Sequence, residues 1–501
     1  MAKIRIIANT VTILLLLLIF ISCKKDTDIK DDNGIDSGNA GQTSNEAAEL
    51  IEPEQIISDL PDMNFESKVW KALGIYDATY EQFVNFEIYA ETITGELVND
   101  AVYNRNQRIL DKYNVIIEQD LLENPQNVLI KSINANEDAY DLAFIQLRNI
   151  GAIGTTGYFY NLNTLKYLDF EKPWWSQEVN KSLSVNNKLY FTTSDFNMMD
   201  KNRAYLLIYN KKMAEAYTLG NLYNLVYDGK WTVNKMTEIC KIVSRDLDGD
   251  GVMNDKDQWG LGMDSYNPFG ALYNSCDNYI ITKDADDNPI LSVSNERTIT
   301  SIDKILLLTN NEDISYYNQR FQGKVADYIM MPAILFGEEQ QLFITSFTHG
   351  LKYFTQTSDV DFGVLPFPKF DEIQENYVSF PDPFGSALFT IPISVQDVDF
   401  AAFVLEALSA ESKYDVLPYY YEVSAKTKYT FDEESPKMLD LIFSGMRYDL
   451  GIIYNWGGIG DFIRDTIPRA GVNNFVSNYA SMETRVLTAI EKTVDLFKDL
   501  P

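Results

Sequence analysis

Apolar residues recur at helical spacing in NDAVYNRNQRILDKY (99–113). Val102, Ile109, Leu110 and Tyr113 share one face there, and Arg105 and Arg108 fall on the polar side. NVIIEQ (114–119), YDLAFIQL (140–147), AYLLIYN (204–210) and DFGVLPFP (361–368) are short apolar runs, which predict buried strands. TVNKMTEICKIVSR (232–245) returns to the helical period, with Val233, Met236, Ile239, Cys240 and Val243 on one stripe. A further helix is predicted over DVDFAAFVLEALSA (397–410). Strands and helices in alternation imply an α/β fold, with parallel sheets covered on both faces by helices. At 501 residues the chain is too long for one core, so two lobes are expected.

Charge narrows the class of partner. Lys and Arg total 42 against 73 Asp and Glu, a net of −31. Such a surface repels phosphate backbones, so a nucleic-acid partner is not expected. At the N-terminus, Lys3 and Arg5 precede the apolar run Val11 to Ile21, which is shorter than the roughly 20 residues needed to span a bilayer. Ser22 and Cys23 follow, and this junction resembles the lipobox of bacterial lipoproteins. It implies a signal peptide over 1–22 and lipidation of Cys23; the alternative is an ordinary signal peptide with an incidental cysteine. Residues 23–60 are rich in Asp, Gly, Ser and Asn, which predicts a tether spanning roughly 35 Å. Cys240 and Cys276 remain, as buried thiols or as a disulfide.

RDLDGDGVMNDKDQWG (245–260) concentrates acid on one turn. Counting from Asp246, oxygen-bearing side chains fall at Asp246, Asp248, Asp250, Asn254 and Asp257, with Gly251 at the sharp bend and the Val252 carbonyl available. The pattern resembles an EF-hand loop with Asp in place of the final Glu, and implies a structural Ca²⁺. The alternative is a solvated acidic turn. The glycines of QWGLGM argue against a second helix after the loop, and Trp231 and Trp259, which flank the unit, are expected to pack.

Several stretches, in order, resemble the extracellular solute-binding proteins of ABC importers, the group that includes maltose- and alginate-oligosaccharide-binding lipoproteins. They are GELVNDAVYNRNQRILDKYNVII, EKPWWSQEV, KLYFTTSDF, LLIYNKKM, GKWTVNKMTEICKIVSRDLDGDG, DFGVLPFPKFDEIQENYVSF and MLDLIFSGMRYDLG. The resemblance implies a two-lobed periplasmic-binding-protein-like fold with a hinge and an interlobe cleft. Chain order assigns 61–196 and 333–385 to one lobe, and 197–332 and 386–501 to the other. The implied function is capture of a carbohydrate by hinge closure and delivery to ABC permease subunits, by a monomer attached to the membrane only through its lipid. A surface carbohydrate-binding or sensory protein without transport is the alternative.

An enzyme is not expected. His349 is the only histidine, and no nucleophile elbow, P-loop or C-x-x-C occurs. Ligands of open α/β sheets bind beyond the carboxyl ends of strands. That places Gln146 and Arg148 at the cleft, with Asp195, Asn197 and Asn202 from the first crossing segment. Tyr454, Asn455 and Trp456, on a glycine-rich loop, are the expected sugar platform, and Trp174 or Trp175 is expected to face the cleft as well.

Overall fold

The computed structural model describes residues 56–78, 84–265, 267–420 and 432–500. Cys23 and most of the tether lie outside them. The strands in chain order are β1 (Lys68–Ile75), β2 (Val115–Leu122), β3 (Leu142–Gln146), β4 (Tyr205–Asn210), β5 (Trp259–Met263), β6 (Ile281–Lys283), β7 (Pro289–Leu291), β8 (Ser315–Tyr317), β9 (Gln341–Phe347), β10 (Phe362–Leu365) and β11 (Ala387–Thr390). They form two main sheets, ordered β11-β3-β1-β2 and β10-β4-β9-β5-β8, and β6 and β7 form a separate hairpin. In the first sheet β1 runs parallel to β2 and β3, while β11 is antiparallel to β3. In the second, β5 is parallel to both β8 and β9, and β4 is antiparallel to β9 and β10.

Sequence pattern accounts for these elements. The central strands β3 and β4 are continuous apolar runs because helices cover both of their faces. The helix Leu97–Tyr113 stops at Asn114, whose left-handed backbone (φ 52°) sends its N–H back to the Leu110 carbonyl. Thr232 caps the helix Val233–Val243 by accepting from the Lys235 N–H, and the five predicted stripe residues of that helix are buried. Trp231 and Trp259 are buried, as are the free thiols Cys240 and Cys276.

Three expectations change. Residues 333–385 belong with the second sheet, because β9 and β10 hydrogen-bond on either side of β4. Residues 386–411 join the first lobe, because β11 pairs with β3 and the helix Val398–Glu411 packs Phe400 and Phe403 among Trp70, Ile109 and Tyr113. Arg105 is fully buried rather than on a polar face. Its guanidinium donates to the carbonyls of Glu87 and Ile88, to Asn106 and to Ser412.

Among the described residues the chain passes between the sheets at Asp195–Ala204 and again at Phe380–Ser386. The two passages are bridged to each other at Ala204 and Pro381, and Ser379, just before the second, is bridged to Met446. Among the described residues no helix is long and apolar enough to cross a membrane.

Candidate functional site

Strand directions bring two rims face to face. β5, β8, β9 and β10 all end at the rim where β4 begins with Tyr205. β1, β2 and β3 end at the rim where β11 begins with Ala387. The segments Ala204–Tyr205 and Phe380–Ala387 join the rims, so the carboxyl ends of the parallel strands in both sheets look into one gap.

Gln146 and Arg148 stand on the first rim. The half-buried Gln146 amide oxygen accepts from Arg148 Nε at 3.3 Å, and the exposed Arg148 guanidinium lies 5.3 Å from the centre of the Phe384 ring. Arg464, from the other lobe, lies 4.5 Å from the same ring. It donates to Asn267 at 3.1 Å and to Asp461 at 2.6 Å. Asn455 exchanges two hydrogen bonds with Asp461, so it supports Arg464 from behind. On the floor, Arg203 and Asp382 form a buried ion pair, and Arg203 sits 3.7 Å over the Phe347 ring. Asp382 also accepts from the Phe384 N–H, which fixes the turn that presents the ring. Tyr205 is packed between Phe347 and Phe367, and its buried hydroxyl has no hydrogen-bond partner among the described residues. Burial holds that phenol well above the ordinary tyrosine range, so it stays protonated and can donate to a ligand.

Phe384, Arg203, Arg464 and Asn267 were not foreseen. Local signals mark two of them: the turn sequence PDPFGS (381–386) holds Phe384, and a π-helical turn at Phe462–Thr466 carries Arg464. Such turns are frequent at functional sites.

Other predicted residues are placed elsewhere. Asn197 is fully buried and donates to the Ala387 carbonyl and to Thr193, which pins the first crossing to β11. Asn202 is buried and accepts from the Tyr420 hydroxyl at 2.7 Å. Trp174 and Trp175 are both core residues, each donating its indole N–H to one oxygen of Glu406 at 2.9 Å. Burial pushes that carboxyl up to about 7. Trp456 is 5% exposed, stacks on Tyr454 at 4.8 Å and donates to Thr493 on the C-terminal helix Phe475–Asp499. The Tyr454–Trp456 pair is internal packing and offers no free platform. Asp195 lines a different cavity, with Lys201 and Lys413.

In the acidic loop, carboxylate oxygens of Asp246, Asp248 and Asp250 lie within 4.8 Å of one another, and all three residues are exposed. Gly249 and Gly251, at φ 73° and 79°, turn their N–H groups onto Asp246. Asp257 does not join this group of carboxylates. Asp257 is buried and accepts from the N–H groups of Leu247 and Asn254, while Asn254 donates its amide to the Val252 carbonyl.

No family model matches the chain, and no curated protein matches it. Solved structures do. The Listeria monocytogenes maltose-binding periplasmic protein MalE, in complex with maltose, superposes with a TM-score of 0.54 at 13% identity, covering 86% of this chain and 98% of that one. M. tuberculosis UspC gives 0.52 at 12% identity, covering 85% and 100%. A cyclo/maltodextrin-binding protein complexed with maltotetraose gives 0.51 at 14% identity, covering 86% and 97%. The likeness is one of fold: this chain has the two-lobed α/β architecture of periplasmic binding proteins.

Proposed function

We propose that this protein is the solute-binding component of an ABC importer, taking a neutral oligosaccharide between its two rims and passing it to permease subunits. It acts as a binding protein without turnover, held at the outer face of the cell envelope by a lipid on Cys23. The observation that carries the reading is the pair Arg148 and Arg464, one from each lobe, both lying against Phe384, with a Tyr205 hydroxyl that has no hydrogen-bond partner among the described residues. Guanidinium, amide and phenol edges suit the hydroxyls of a sugar, and lobe closure would bring both sets onto one ligand. The fold likeness to maltose- and maltodextrin-binding proteins supports the ligand class.

Maltotetraose is expected to raise the thermal midpoint, since binding to the folded form alone stabilises it. Arg464→Ala is expected to weaken that binding about thirtyfold, roughly 2 kcal/mol, as for a buried contact residue. If no mono-, di- or oligosaccharide moves the midpoint of the intact protein, the reading is wrong.

The acidic loop fits a hard divalent cation. Three carboxylates converge on it, and calcium selects oxygen ligands. In the same proposal Ca²⁺ is held by Asp246, Asp248 and Asp250, with Val252 and Asn254 as further oxygen donors and Asp257 closing the loop. Chelation should lower the midpoint, and Ca²⁺ should restore it better than Mg²⁺. Asp248→Ala combined with Asp250→Ala should remove the difference. A melting curve indifferent to EDTA would make the loop a solvated turn.

A further inference from the structure

A second polar cavity of about 320 Å³ lies along the far edge of the first sheet. It is displaced from the rim site: Thr192 pairs with β11 at Phe389, and Trp175 pairs beyond it with Ser194, on the side away from β3. It adjoins a further cavity of about 380 Å³, with Glu178, Arg447 and Tyr448 lining both. Together they reach the size range of small-ligand pockets, about 300–1,000 Å³.

The charges in the first cavity balance in sign. Asp195 takes Lys413 at 3.2 Å, and Lys201 stands 3.8 Å from Asp195 and 3.7 Å from Asp200. These four groups answer one another. Glu178 and Arg447 do not. Glu178 is exposed and makes no hydrogen bond or ion pair among the described residues. Arg447 spends only one terminal nitrogen, on the carbonyls of Ser444 and Met446. One carboxylate and one guanidinium therefore stand without an ion pair among the described residues at the wall that the two cavities share, with Asp277 in electrostatic reach of Arg447 and Lys181 lining the adjoining cavity. Phe443 lines the cavity beside them, with the largely buried rings of Trp175 and Tyr448 in its wall.

We infer that this cavity binds a zwitterion of α-amino-acid size with an apolar side chain. The ligand carboxylate pairs with Arg447, its ammonium with Glu178, and its side chain lies against the aromatic surface. A ligand bearing one charge leaves the opposite group unanswered. The helix Gln177–Leu183, which carries Glu178, follows the first-sheet edge. Arg447 follows the helix Ser435–Ser444, which packs on β10 of the second sheet. A bound zwitterion thus touches both lobes.

The test is calorimetry of the intact protein with L-phenylalanine, 3-phenylpropionate and phenethylamine, all without sugar. Its outcome is therefore independent of the oligosaccharide reading. Saturable binding of phenylalanine is expected, with each singly charged analogue at least about tenfold weaker. Glu178→Gln, at an exposed helix position, should weaken phenylalanine about tenfold while the free protein melts unchanged, and Arg447→Met should do the same. Absence of heat at about 10 mM phenylalanine, equal binding of either analogue, or unchanged affinity of Glu178→Gln would overturn the assignment.

Discussion

Arg105→Ala is expected to destabilise the protein by about 3–5 kcal/mol, the range for breaking a buried charged network. The guanidinium is completely buried and ties three separate pieces of chain together. It holds the Glu87 and Ile88 carbonyls at 2.8 and 3.0 Å, Asn106 on its own helix, and Ser412 at the end of the helix Val398–Glu411. Truncation leaves those acceptors buried without a donor and opens a void. The loss has a pH signature. Burial raises the Glu87 carboxyl to about 7 from an ordinary value of 4.5, so its stabilising contribution is complete below 4.5 and is lost as pH rises through 7. Hydrogen bonds from Asn85 and the Met198 N–H oppose this shift, and Arg105 and Lys201 are cations that oppose it as well. Without Arg105, Glu87 is harder still to ionise, and the variant should lose more stability than the parent between pH 6 and 8. Urea titrations at both pH values read both effects. An unchanged midpoint would mean that solvent reaches the guanidinium. Glu87 also accepts from the Met198 N–H on the first crossing, so this network helps to hold the hinge segment.

Arg105 shows where pattern reading stops. Helical periodicity located the helix correctly, because the apolar stripe faces a core that any amphipathic helix must cover. Periodicity carries no information about a charged residue whose partners lie on other segments, at Glu87 and Ser412. The lobe boundaries failed for a related reason. β10 was legible as an apolar strand while β9 and β11 went unread, and which sheet each joins depends on pairing with β4 or β3, far away in sequence. At the candidate site, Gln146 and Arg148 were legible because strand carboxyl ends are where α/β sheets expose side chains. Asn197, Asn202 and Trp174 were misplaced because polar atoms on a crossing segment serve equally well as staples, and here they bond Ala387, Tyr420 and Glu406.

The glycine-rich loop at 454–458 was the strongest lure, and it yields the second large expected effect. Asn455, Gly457 and Gly458 adopt positive φ of 47°, 56° and 81°. These residues turn the chain inward, beneath the helix Phe475–Asp499, and a Cβ on Gly457 would meet Val486 at 2.9 Å. The loop is glycine-rich so that Trp456 can be buried, not so that it can be displayed. Trp456→Ala should therefore cost about 3–5 kcal/mol, as large aromatic truncations in cores do. The cost comes from the lost stack on Tyr454, the lost hydrogen bond to Thr493 and the remaining void. Trp456→Phe retains a ring against Tyr454 and should lose less. Where the alanine variant is still folded, its affinity for maltotetraose should match the parent's, because Asn455 and Asp461 continue to hold Arg464. Thermal melts and calorimetry separate the two roles. A variant that melts normally but binds sugar poorly would return Trp456 to the cleft.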